Sequence, residues 1–142
     1  MDNSLHLIKL SVGTESVDTL KVWQATPRAQ GPDGLPRHIT RMWPKREAEL
    51  LKGGSIYWVI KGAIQARQRI VRLDEVDTGD GIRRCAIVLN PEIIRTATAL
   101  RRPFQGWRYL EARNAPIDLP RGRANDDLPP SLSAALSDIG VR

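Results

Sequence analysis

Ile64-Gln65-Ala66-Arg67-Gln68-Arg69-Ile70-Val71-Arg72-Leu73-Asp74-Glu75-Val76 runs into Asp77-Thr78-Gly79-Asp80-Gly81 and returns through Ile82-Arg83-Arg84-Cys85-Ala86-Ile87-Val88-Leu89. Two runs rich in β-branched residues, joined by a turn of Asp, Thr and Gly, read as a β-hairpin. The alternation changes phase near Arg69 and Ile70, as a bulge would cause. Just upstream, residues 55–61 alternate Ile56, Trp58 and Ile60 against Tyr57, Val59 and Lys61, and Gly62 ends the run. A third strand therefore precedes the hairpin, and this β-rich centre sets the fold class.

Working outward, residues 5–12 are apolar on both faces, so they read as a central strand. Thr14 and Ser16 are candidate N-caps for a helix over 16–25. Residues 26–37 hold Pro27, Gly31, Pro32, Gly34 and Pro36 and predict a long loop. Residues 38–43 look extended. Pro44 suits the start of a short helix over 44–52, which Gly53-Gly54 stops. Asn90 and Pro91 predict a helical turn over 90–94, and 96–100 an extended segment. Phe104, Trp107 and Leu110 are spaced i, i+3, i+6 and suit a short buried helix. Residues 115–129 are irregular, and 130–139 carry apolar residues at helical spacing. Strands and helices follow no βαβ rhythm. The expectation is one α+β domain over 1–142, a small mixed or antiparallel, β-barrel-like sheet flanked by short helices.

The 142 residues, 41% of them hydrophobic and 27% charged, are enough to bury a core without staples. One cysteine, Cys85, excludes an internal disulfide, and its apolar neighbours make it a buried, inert thiol. The first residues carry no basic, apolar leader pattern. No apolar run approaches the ~18 residues of a spanning helix. A cytoplasmic setting without a membrane partner is the expectation.

Charge is the most informative bulk property. The net charge is +6, and 17 of the 22 basic residues are Arg. Arg forks onto phosphate and stacks on bases, although a GC-rich coding sequence also raises Arg content. Residues 28–46 and 95–113 each hold five basic residues and one acid, together with tryptophan. A mixed basic and aromatic surface is what a nucleic-acid site needs.

The richest segment is Arg101-Arg102-Pro103-Phe104-Gln105-Gly106-Trp107-Arg108-Tyr109-Leu110. Arg101, Arg102 and Arg108 suit phosphate, Gln105 a base edge and Trp107 a stacked base. The competing reading is that the aromatics only pack. A second set comprises Arg67, Gln68 and Arg69, with Tyr57 and Lys61 on the preceding strand. If extended, Arg67 and Arg69 share one face and Gln68 takes the other. Trp43, Lys45 and Arg46, around Pro44, complete the candidate binding residues, with Trp43 alternatively a staple for the helix that follows.

Catalytic signatures are not found. His6, His38 and Cys85 show no metal-ligand spacing, so no metal or cofactor is expected. Gly53-Gly54-Ser55 lacks the Gly-Lys-Ser/Thr of a phosphate loop. Asp74, Glu75, Asp77 and Asp80 suit a solvated hairpin tip.

Gly53-Gly54-Ser55-Ile56-Tyr57-Trp58-Val59-Ile60-Lys61-Gly62 with Ala66-Arg67-Gln68-Arg69-Ile70, and the 101–110 segment, resemble an alphaproteobacterial family of hypothetical proteins, known only as a domain of unknown function. That resemblance implies no activity. The order of elements is also similar to the PUA-like superfamily (PUA, ASCH and EVE domains), small pseudo-barrels many of which bind RNA or modified nucleobases. The function expected is a binding module for nucleic acid or a nucleotide, chiefly RNA. The alternatives are a small enzyme acting on a nucleotide or other acidic substrate through Arg clamps, and a protein-interaction factor anchored by Trp and Arg.

Overall fold

The computed structural model describes residues 4–120. Seven strands, β1 (Leu5–Leu10), β2 (Arg37–Thr40), β3 (Ser55–Ile60), β4 (Ala63–Asp77), β5 (Arg83–Leu89), β6 (Ile94–Leu100) and β7 (Trp107–Glu111), form an open mixed sheet. Two short helices, α1 (Val17–Gln24) and α2 (Glu47–Leu50), and two 3-10 turns complete the described chain. The fold is α+β and dominated by strands.

β4 organises the sheet. Its first half pairs with β3 on one side and β6 on the other, and its second half pairs with β5. The pairing shifts between Ile70 and Arg72, beside the phase change read from the sequence, so one long strand serves two groups of partners. From β3 the path continues through β1, parallel to it, to β7. From β5 it ends at β2. All pairings except β1–β3 are antiparallel.

Alternation assigns the faces. Leu5 and Leu7 of β1, Ile56, Trp58 and Ile60 of β3, and Cys85, Ile87 and Leu89 of β5 point into the main core. Val17 and Leu20 of α1 and Leu50 of α2 close over it. Each such side chain contributes about 1.5–3 kcal/mol when fully buried. Ile8, Tyr57, Val59, Ile64 and Leu110 form a smaller cluster on the opposite face. Ser16 caps α1, its Oγ accepting from the Thr19 N–H at 3.1 Å. The glycine pair after α2 is a stop, as its sequence suggested. Gly53 has φ of 95°, and a Cβ on Gly54 would collide with the carbonyl oxygens of Leu5 and Leu50.

Four expectations change. The helix expected over 44–52 shrinks to the single turn Glu47–Leu50. The helical turn expected over 90–94 is absent. Asn90 Oδ1 instead accepts from the Glu92 N–H at 2.8 Å, and Ile94 begins β6. The free edge of β4 offers a ladder of hydrogen bonds that a single helical turn cannot match. Trp107 and Leu110 sit on a strand rather than a helix, because β7 pairs along β1 from Leu5↔Glu111 to Lys9↔Trp107. The expected 26–37 loop includes a 3-10 turn, Pro27–Ala29, and its last residue opens β2. The helix expected over 130–139, and residues 121–129 of the irregular segment, lie outside the described residues. Among the described residues no helix is long and apolar enough to cross a membrane.

Candidate functional site

The core face does not end in apolar residues. On β1 the inward series Leu5, Leu7 continues to Lys9, whose register partners are Trp58 of β3 and Trp107 of β7. On β2, His38 lies opposite Ile87, an inward residue of β5. α1 and the loop before it bridge the gap, and a cleft of about 540 Å³ opens between these elements. Lys9, Arg37, His38, Trp58 and Gln24 supply its main polar and aromatic surfaces.

Its electrostatics are one-sided. Among the described residues no Asp or Glu lines it. The ion pairs among the described residues involve neither Lys9 nor Arg37. The Lys9 ammonium donates to its neighbour's carbonyl, Leu10 O, at 3.2 Å. Burial lowers the Lys9 pKa, because an ammonium removed from water loses hydration. His38 is brought down to about 4, first by burial and then by the Lys9 charge. Its ring is therefore neutral at pH 7, with a donor and an acceptor nitrogen. Neither nitrogen has a hydrogen-bond partner among the described residues. The ring meets Trp58 edge-on, with centroids 6.0 Å apart.

A buried amide network holds the floor. Gln68, fully buried, exchanges two hydrogen bonds with Gln24, at 2.6 and 2.7 Å. Its Oε1 also accepts from Trp58 Nε1 at 2.8 Å, and its Nε2 donates to Asn90 O at 3.0 Å. These bonds pin the end of α1 to β4 and fix the plane of the Trp58 indole. Gln30 donates to Gln24 O at 3.0 Å and ties in the following loop.

The residues singled out in the sequence are dispersed. Gln68 reaches the cleft through Gln24 and Trp58. Arg67 and Arg69 do share a face, the one away from Gln68, and Tyr57 is the register partner of Arg67. There Arg67 forks onto Asp118 at 2.7 and 2.8 Å and donates to Ser55 Oγ, while Arg69 is exposed. Tyr57 is buried against the edge of His6, whose Nδ1 accepts from the Ser55 N–H. Lys61, in a left-handed turn with φ of 51°, pairs with Glu15.

A third group gathers around β7. Trp107 is buried and donates to Met42 O at 2.8 Å, and Tyr109 packs edge-on against it. Arg46 forks onto Glu49 and lies over Tyr109, while Trp43 carries Arg83 on its ring and donates to Glu47. Lys45 is exposed. Arg101 donates to the carbonyls of Leu100 and Asn114, Arg102 and Gln105 are exposed, and Arg108 covers Phe104. Arg108 pairs with Ile8, so it stands on the face of β1 opposite Lys9.

Lys9, Arg37, His38, Gln24 and Trp58 were not singled out as a site. A signal for one of them existed: Lys9 interrupts the apolar stretch from Leu5 to Leu10. Cys85 is buried, with its thiol pushed up to about 12, and it takes no part in the cleft. Among the described residues no three His, Cys, Asp or Glu side chains converge as a metal site.

Residues 7–142 match the family described as Protein of unknown function (DUF1489), and the chain belongs to that family. No curated protein matches the chain, and no solved structure does.

Proposed function

We propose, for a chain whose family carries no assigned activity, that the cleft binds a nucleotide, either free or as a unit of RNA, and that the protein is a binding module. The observation that carries this reading is the partly buried, uncompensated Lys9 beside Trp58 and the neutral His38, with no carboxylate among the described lining residues. A partly desolvated ammonium without a counter-charge is costly, and an anionic ligand offsets that cost. A nucleotide supplies the anion and a flat ring together. The phosphate suits Lys9, with Arg37 at the rim. The base suits Trp58 and the neutral His38, which can both donate to a base edge and accept from it.

The PUA-like layout, with its RNA or modified-base ligands, belongs to this proposal. Its support is the register shift along β4, by which one long strand pairs with two groups of partners. The reading places the protein in the cytoplasm, where its ligands are. Arg101, Arg102, Gln105 and Arg108 enter as a secondary surface for phosphate, with Arg108 on the sheet face opposite Lys9.

Calorimetric titration of the folded protein with nucleoside monophosphates and short single-stranded RNA, at two salt concentrations, tests the reading. The expected result is saturable binding that weakens with salt and drops about thirtyfold in Lys9→Met, with a smaller loss in Arg101→Ala/Arg102→Ala. Absence of binding at low salt, or affinity unchanged by Lys9→Met and Arg37→Ala, overturns it.

A further inference from the structure

The floor of the cleft is accounted for by a nucleotide, but its lip is not. Val12, Val22 and Trp23 line the same cleft and are 81%, 69% and 50% exposed. α1 buries Val17 and Leu20, one turn apart, and that stripe is enough to dock it on the core. Val22 and Trp23 fall outside the stripe. The Trp23 ring makes no ring or cation contact among the described residues, and its indole N–H has no hydrogen-bond partner there. A large aromatic ring held half in water, on a regular helix, beside an uncompensated cationic cleft has the form of a stacking platform. Lys21 on the same helix and Arg28 in the following 3-10 turn are exposed, and neither joins an ion pair among the described residues.

We infer that Trp23 stacks a second base, so that the ligand is single-stranded RNA with one nucleotide in the cleft and its neighbour on the lip. The inference rests on the nucleotide reading and extends it. A cleft of about 540 Å³ is in the range of one small ligand, so further nucleotides must lie outside it. The surface waiting outside is apolar and aromatic, with cations close by along the chain. That combination fits a base and its connecting phosphate. Base-paired RNA has its ring faces already stacked and offers Trp23 nothing, so the lip discriminates against duplex.

The test is calorimetric titration of the full chain with adenosine monophosphate, the dinucleotide ApA, a single-stranded heptamer and a blunt duplex. Each is measured on the wild type, Trp23→Ala, Trp23→Phe and Lys9→Met. ApA is expected to bind about tenfold more tightly than the monophosphate. Trp23→Ala removes that gain, so that ApA and the monophosphate bind this variant about equally, while Trp23→Phe retains most of the gain. Duplex binds more weakly than the heptamer. A monophosphate that binds through Lys9, with no gain for ApA or a gain that survives Trp23→Ala, overturns the inference and leaves the nucleotide reading standing. No ligand binding at all overturns both. Sedimentation of the same variants supplies the remaining arm. If Trp23→Ala abolishes self-association while RNA binding is untouched, the lip is a contact between copies and the inference fails.

Discussion

The β4–β5 hairpin and the cleft carry the same sign of charge and treat it in opposite ways. On the hairpin Arg72 bridges Asp33 and Asp74, Arg83 pairs with Glu75, and Arg84 forks onto Asp80. The Arg84 guanidinium and the Ile82 N–H hold the Asp80 carboxyl well below the usual carboxylate range. These groups, Arg84 excepted, reach well into solvent, and all are satisfied by one another. In the cleft Lys9 meets no carboxylate among the described residues and is partly desolvated, and the neighbouring imidazole is kept neutral. Much of the positive charge is thus spent on pairing. What singles out a site is charge left unpaired where water is scarce.

That contrast can be tested at decreasing scale. The largest effect is expected beneath the cleft. Gln68→Leu strands Trp58 Nε1–H and the Gln24 amide, so chemical denaturation should show a loss of about 3 kcal/mol or more, together with loss of nucleotide binding. A comparable effect comes from pH. The folded-state pKa of His38, about 4, lies below the usual 6.5. As pH falls through 6.5 the unfolded chain takes up a proton that the folded one refuses, so stability drops until about pH 4 and then levels. The drop is about 3 kcal/mol at most, and His38→Gln should flatten that segment of a stability–pH curve.

Lys9→Met should raise stability by about 1 kcal/mol, seen as a higher Tm, in the same variant that loses ligand affinity. A loss of stability would mean that Lys9 is better satisfied than its surroundings suggest, and would weaken the contrast. The smallest effect belongs to the hairpin. Arg83→Ala removes an exposed pair with Glu75 and should change stability by less than about 1 kcal/mol and RNA affinity by less than twofold, measured by denaturation and calorimetry.

The hairpin was readable because its information is local. Strand period, turn residues and the phase change at Arg69 and Ile70 all lie within one stretch of chain. The segments misread as helix had the same kind of local pattern but a different tertiary outcome. Asn90-Pro91 is a helix start by composition, and Phe104, Trp107 and Leu110 fit a helical face. In each case an unpaired strand edge, of β4 or β1, claimed the backbone. Among candidate binding residues, basic and aromatic clusters along the chain marked Arg67, Arg69 and the 101–108 segment. Folding put Arg67, Arg69 and Arg108 on the sheet face away from the cleft and tied Arg67 to Asp118, which lies fifty-one residues away.

Composition and short-range alternation alone establish a basic, strand-rich α+β chain with a central hairpin, a capped first helix and a glycine stop before β3. They do so because period, capping and turn geometry act over a few residues. Tertiary structure alone decides that β1 and β2 face each other across a cleft, that Lys9 and His38 point into it, and that Gln68 serves as a buried tie. Desolvation and charge balance are sums over everything packed around a group, and those neighbours come from distant parts of the chain.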